Sequence, residues 1–153
     1  MYIKLDFMKT IFRILLVLIL MATANVQAQG QKKLDQQTVS DLQKTPKYAF
    51  VLTTEKDFKG VLGMYDLLIE NGVLIEDYEI VVKGKVVTQL VKKSELETFF
   101  KKYQGKVKVS VCSVAMEKLG VTEEMLFQGL QVTPTSSVRM LQLQANGYNT
   151  LTY

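Results

Sequence analysis

The sequence predicts an α/β fold: a single three-layer domain with a mainly parallel sheet of about five strands. Three observations carry that reading. Short apolar runs rich in Val, Ile, Leu and Tyr recur along the chain, and segments with apolar residues at helical spacing separate them. The runs are apolar without strict alternation, as strands covered on both faces must be. Asn-Gly pairs or single glycines close several of the helical segments, where a left-handed residue ends a helix.

Residues 1–28 read as an export signal that precedes this domain. Lys4, Lys9 and Arg13 put positive charge ahead of, or at the edge of, an apolar run over residues 11–21. Small residues follow, and Val26-Gln27-Ala28 supplies a cleavage site after Ala28, with Met8 as an alternative start. The apolar run is shorter than the about 20 residues a bilayer span needs. No Cys stands at the cleavage point to take a lipid. The expectation is therefore an exported protein, periplasmic or extracellular, that begins near Gln29 and has no membrane attachment once the leader is removed.

Residues 29–46 are polar and read as a flexible lead-in with a short helix near 39–43, stopped before Pro46. The α/β domain then occupies residues 47–153. A strand is expected over 48–52, ending in the loop Thr53-Thr54. A helix over 57–71 carries Phe58, Val61, Leu62, Tyr65, Leu68 and Ile69 as its apolar stripe, and Asn71-Gly72 stops it. A second strand over 78–82 ends at Gly84. Residues 85–91 suit either a turn of helix or an extended piece. Ser94 with Glu97 forms a capping box for a helix that buries Leu96, Phe99, Phe100 and Tyr103.

A third strand over 107–111 runs directly into Cys112, and a short helix over 114–119 stops at Gly120. Thr122-Glu123-Glu124 opens another short helix with acids in its first turn, where the helix dipole favours them. A fourth strand covers 130–133. After Pro134, Thr135 or Ser136 caps a helix carrying Val138, Leu141 and Ala145, which stops at Asn146-Gly147, and residues 148–151 are expected to form a closing strand. The methionines Met64, Met116, Met125 and Met140 fall at apolar positions and read as core filling. The domain is flavodoxin-like in size.

Composition removes several classes of function. The chain has 19 Lys and Arg against 15 Asp and Glu; the leader takes three of the former and one of the latter, so the domain is nearly neutral and no nucleic-acid partner is expected. There is no His, which rules out a Ser-His-Asp triad, a Cys-His pair and a His-ligated zinc. Neither a dinucleotide-binding nor a phosphate-loop glycine pattern is present, so no cofactor or metal is expected. The acids Glu55, Asp57, Asp66 and Glu70 share one helix and read as a solvated face. A single Cys, Cys112, rules out an intramolecular disulfide.

Ligands of parallel sheets bind at the carboxyl ends of the strands. Thr53 and Thr54, Gly84, and Cys112 with Ser113 all stand there. Cys112 sits where strand gives way to helix, so that backbone N–H groups of Ser113, Val114 and Ala115 point toward its sulfur and favour the thiolate. The alternative is an inert apolar side chain that completes the strand.

The stretch Val109-Ser110-Val111-Cys112-Ser113-Val114-Ala115-Met116, followed by a Leu-Gly stop, resembles the DsrE/DsrF family of small sulfur-handling proteins. Residues 129–134, the Gly-Tyr closing the helix over 138–148, and residues 78–84 are similar to that family's fourth strand, final helix and second strand. The resemblance spans about residues 48–153. It implies a flavodoxin-like parallel sheet, homo-oligomers such as trimers or hexamers, and a reactive cysteine at the position of Cys112. In cytoplasmic members that cysteine carries a persulfide between a sulfur donor and an acceptor protein, whereas this chain has an export signal. Two other readings compete: a non-catalytic ligand-binding module with Cys112 in its wall, and a structural oligomer subunit without a small ligand.

Overall fold

The run Tyr48-Ala49-Phe50-Val51-Leu52 is buried on both sides, which a single strand achieves only between two layers. The computed structural model describes residues 33–153 and shows how those layers are built. The expected leader, its cleavage site at Ala28 and residues 29–32 of the lead-in lie outside the described residues. Strands β1 (Lys47–Leu52), β2 (Asp77–Val82), β3 (Lys108–Cys112), β4 (Leu130–Thr133) and β5 (Asn149–Thr152) form one sheet in the order β4-β3-β2-β1-β5. Every neighbouring pair is parallel. The helices are α1 (Gln36–Gln43), α2 (Glu55–Glu70), α3 (Glu95–Phe100), α4 (Ser113–Leu119) and α5 (Ser136–Ala145).

Strand order dictates which face each helix covers. From β1 to β4 the chain steps steadily toward one edge, so right-handed crossovers deliver α2, α3 and α4 to one face. From β4 it returns across the sheet to β5, and the same handedness delivers α5 to the opposite face. The buried side chains obey this rule. Phe50, Leu52, Ile80, Val82, Val109 and Val111 join Phe58 and Leu62 of α2, Phe100 of α3 and Met116 of α4 in the main core. Ala49, Val51 and Val81 point the other way and meet Leu143 of α5. Complete burial of one such aliphatic or aromatic side chain contributes about 1.5–3 kcal/mol, so the α2–α4 face holds most of the apolar stabilisation.

Local chemistry sets the helix ends. Asp35, Thr54, Ser94 and Thr135 each accept a backbone N–H of the first turn, which identifies Thr135 rather than Ser136 as the cap of α5. The Glu97 carboxylate reaches back one residue further than a capping box requires. It accepts the N–H of Lys93, because the N–H of Ser94 is already held by the carbonyl of Val91. The undecided segment 85–91 resolves as a 3₁₀ turn, Lys85–Gln89, that buries Val86 and Val87. A further 3₁₀ turn, Glu123–Met125, replaces the short helix expected after Thr122.

The lead-in is helical over Gln36–Gln43, and its Leu34, Val39 and Leu42 rest against the main core. Three expectations for buried apolar residues need correction, the first at Ile69 of α2, which is exposed. Met125 is exposed, and its sulfur accepts the Thr122 N–H instead of filling the core. On α5, Val138 and Leu141 face outward, Leu141 at 65 % exposure, and Ala145 is also exposed. The inward stripe is Ser136, Arg139, Met140 and Leu143, because that rotation brings Arg139 to a buried carboxylate on the sheet. Among the described residues no helix is long and apolar enough to cross a membrane.

Candidate functional site

The connections after β3 and β4 leave the sheet on opposite faces, α4 to one and α5 to the other. Two adjacent parallel strands that part in this way open a crevice at their carboxyl ends. Cys112 is the last residue of β3 and is paired with Thr133, the last residue of β4. It therefore lies at the one reversal of strand order in the sheet. The hydroxyl of Ser113 donates to the carbonyl of Pro134 at 2.8 Å and ties the two diverging connections together.

Cys112 is 5 % exposed and lies beside the starts of both helices. Burial pushes the thiol up. The nearby backbone N–H groups of Ala115, Ser136 and Val114, with the hydroxyl of Ser136, favour the thiolate and outweigh burial, so the thiol titrates below its ordinary value. Two of these N–H groups belong to the first turn of α4 and one to the first turn of α5, where unpaired donors and the helix dipoles both favour negative charge.

The sulfur is reached through a cleft of about 380 Å³. Lys83, Gly84 and Lys85 form one wall, Ala115, Lys118 and Leu119 of α4 another, and Ser136 closes it from α5. None of the three lysines enters an ion pair among the described residues. Their charge is thus free to act on whatever enters. Gly84 has φ 72° and ψ −162°, a region open essentially to glycine alone. A Cβ there would stand 3.3 Å from the Cβ of Thr53. Glycine at this position lets the lysine-bearing turn close down over the strand ends.

The residues expected at the site divide accordingly. Cys112, Val114, Ala115 and Gly84 come together around the cleft. Ser113 spends its hydroxyl on Pro134 and does not line it. Thr53 packs against Gly84 from behind, and the hydroxyl of Thr54 caps α2 by accepting the N–H of Asp57 at 3.1 Å. Neither threonine lines the cleft. Ser136 and the cleft lysines Lys83, Lys85 and Lys118 were not among the residues expected at the site. The pair flanking Gly84 was the available signal, since it stands directly after a predicted strand.

A second polar cluster was also missed. Glu79 is 0 % exposed in the middle of β2. Arg139 of α5 grips it with two hydrogen bonds, each 2.7 Å. The Ser110 hydroxyl donates to the same carboxylate, and Gln131 donates to Ser110 at 2.7 Å. A charged residue inside an apolar strand run was its sequence signature, because a buried carboxylate demands a partner.

Larger cavities of about 530 Å³ and 520 Å³ lie at the amino ends of β2 to β4 and along β5. Neither contains the thiol. Among the described residues no group of His, Cys, Asp and Glu is placed to hold a metal ion.

Solved structures share this architecture. A protein of unknown function from Methanobacterium thermoautotrophicum superimposes with a TM-score of 0.59 at 17 % identity, covering 70 % of this chain and 98 % of its own. A conserved protein of unknown function from Bacteroides thetaiotaomicron gives a TM-score of 0.56 at 19 % identity, with 73 % and 98 % covered. At such identities the likeness speaks for the fold alone. No curated protein matches the chain. The DsrE/DsrF-like family model matches residues 46–153, every strand from β1 to β5 and the cysteine at the reversal of strand order included. A five-stranded parallel α/β domain matched by that model over its whole length belongs to the DsrE/DsrF-like family.

Proposed function

We propose that the chain is an exported sulfur carrier that holds sulfane sulfur as a persulfide on Cys112. The observation that carries this reading is the thiol itself, seated at two helix starts beneath a lysine-lined cleft. Family membership supports it, since sulfur relay is the activity the family suggests. The step needs no external oxidant. The Cys112 thiolate attacks the terminal sulfur of a donor persulfide, the donor's S–S bond breaks, and the donor departs as a thiolate. The new persulfide on Cys112 gives up its outer sulfur to an acceptor thiolate by the same exchange. The N–H groups around the sulfur favour the anionic charge in both directions.

Whole-protein mass spectrometry of native material tests the reading. One added sulfur, about +32 Da and removed by reductant, is expected on wild type and not on Cys112→Ser. A thiol that resists alkylation by small reagents, with no adduct after exposure to a persulfide donor, sinks the carrier and leaves a binding module with Cys112 in its wall. Export and assembly belong to the same proposal. The charged and apolar pattern of residues 1–28 supports a mature chain starting near Gln29, which N-terminal peptide mapping reads directly. The outward Val138 and Leu141 of α5 support a homo-oligomer, trimer or hexamer, which light scattering measures.

A further inference from the structure

Cys112 and Ser110 lie two residues apart on β3 and point to the same face, which α5 covers. Ser136 and Arg139 lie three residues apart on α5 and point back at the sheet. The two elements are therefore joined by two rungs. In the upper rung buried Ser136, the first residue of α5, lines the same cleft as Cys112, where its N–H and hydroxyl favour the thiolate. In the lower rung Arg139 grips Glu79, which also takes the hydroxyl of Ser110.

We propose that Arg139 is a positioning residue for Cys112: its two-pronged hold on buried Glu79 sets the rotation and register of α5, and thereby places Ser136 against the sulfur. Physical reasons favour this role over a simple contribution to stability. A buried ion pair is a poor stabiliser beside apolar residues of equal volume, because both charges must leave water. A guanidinium bound through two nitrogens to one carboxylate, however, permits essentially one distance and one plane. The only other deep anchor of α5 is Leu143, two turns away from Ser136, and an apolar contact tolerates sliding. Without the lower rung, the start of α5 is held at the sheet by its cap, by Ser136 itself and by the Ser113 hydroxyl on the Pro134 carbonyl, none of which fixes the rotation of the helix as a two-pronged guanidinium does. The remaining charged groups lining the thiol's cleft are Lys83 and Lys85 from the β2 connection and Lys118 from α4, and none of them touches Arg139.

This inference rests on Cys112 being a working thiolate, and it is independent of what the thiolate carries. The test is the pH profile of iodoacetamide alkylation on the full domain. Arg139→Met is expected to move the profile to higher pH and to slow alkylation at neutral pH by about 3- to 10-fold, equal to a half to one pKa unit, with the rate at high pH unchanged. Arg139→Lys, which keeps the charge and loses the fork, should fall between the two. A folded Arg139→Met protein with the wild-type profile overturns the proposal. If that variant does not fold, Glu79→Met with Arg139→Met removes the unpaired carboxylate and restores an apolar contact. The same displacement is expected there, and its absence is equally fatal. A missing sulfur adduct would remove the carrier reading while leaving this profile, and so the positioning role, intact.

Discussion

Cys112 experiences two opposed influences, and their balance sets the direction in which its thiol titrates. Its burial disfavours the thiolate, while the donors from α4 and α5 favour it and prevail. Neither influence requires a charged neighbour in contact with the sulfur, so the lysines of the cleft are left to select what approaches it. Iodoacetate and iodoacetamide differ in charge and little in size, which makes their rate ratio a measure of that selection. Replacing Lys85 or Lys118 with Gln is expected to lower the iodoacetate-to-iodoacetamide ratio by about threefold each at low ionic strength, and added salt should erase the difference. A ratio indifferent to both would show that the lysines play no part at the thiol. Of the residues around the sulfur, Cys112, Val114 and Ala115 were legible, because a strand running directly into a helix is a local pattern. Ser136 was not, since nothing local records which helix start faces which strand end.

Among the elements, α2 and α5 show where a local reading succeeds and where it fails. For α2 the periodic stripe and the Asn71-Gly72 stop were both correct, apart from Ile69, which is exposed. Thr54 belongs to this element and not to the site, as its hydroxyl already serves the N–H of Asp57. Thr54→Ala is thus expected to cost about 1 kcal/mol of stability, the usual loss of a helix cap, with alkylation of Cys112 unchanged. Denaturant unfolding and the alkylation rate, measured together, decide this, and a slowed thiol with unaltered stability would return Thr54 to the cleft. For α5 the apolar residues Val138 and Leu141 suggested the wrong inward face. Periodicity assigns apolar residues to the core, and here the buried face sets a charge and a hydroxyl beside Leu143 and Met140. A helix that carries both an apolar ridge and a polar stripe has two candidate faces. The partner on the sheet chooses between them.

For the molecule as a whole, the site and the fold are linked through protonation. Cys112 has a folded-state pKa below its unfolded value, so its ionised form is stabilised by folding. That stabilisation is complete above the unfolded thiol value of about 8.5 and is lost as pH falls through the lower, folded value. The Tm difference between wild type and Cys112→Ser is therefore expected to shift in favour of wild type as pH rises from about 6 to about 9. A difference that does not change with pH would mean that the donors around the sulfur bind thiol and thiolate alike. Because the comparison is with Cys112→Ser, Asp77 contributes equally to both proteins and cancels. Its carboxyl is raised by burial but lowered further by Lys108 and Tyr148, and it loses its stabilisation only toward acid pH.

The element sequence, the parallel sheet and a cysteine at the end of the third strand were all present in the order of residues. Each rests on short-range physics: the short unbroken apolar run of a strand covered on both faces, the turn of a helix, the left-handed glycine that ends it. The rest depends on residues brought together from afar. Glu79 and Arg139 are 60 positions apart, and Lys83 and Lys118 enter one cleft from different connections. A buried carboxylate announces that it needs a partner and not which one. That choice falls to the handedness of the last crossover, which lays α5 across β1 to β3 and puts its arginine, and with it Ser136, within reach.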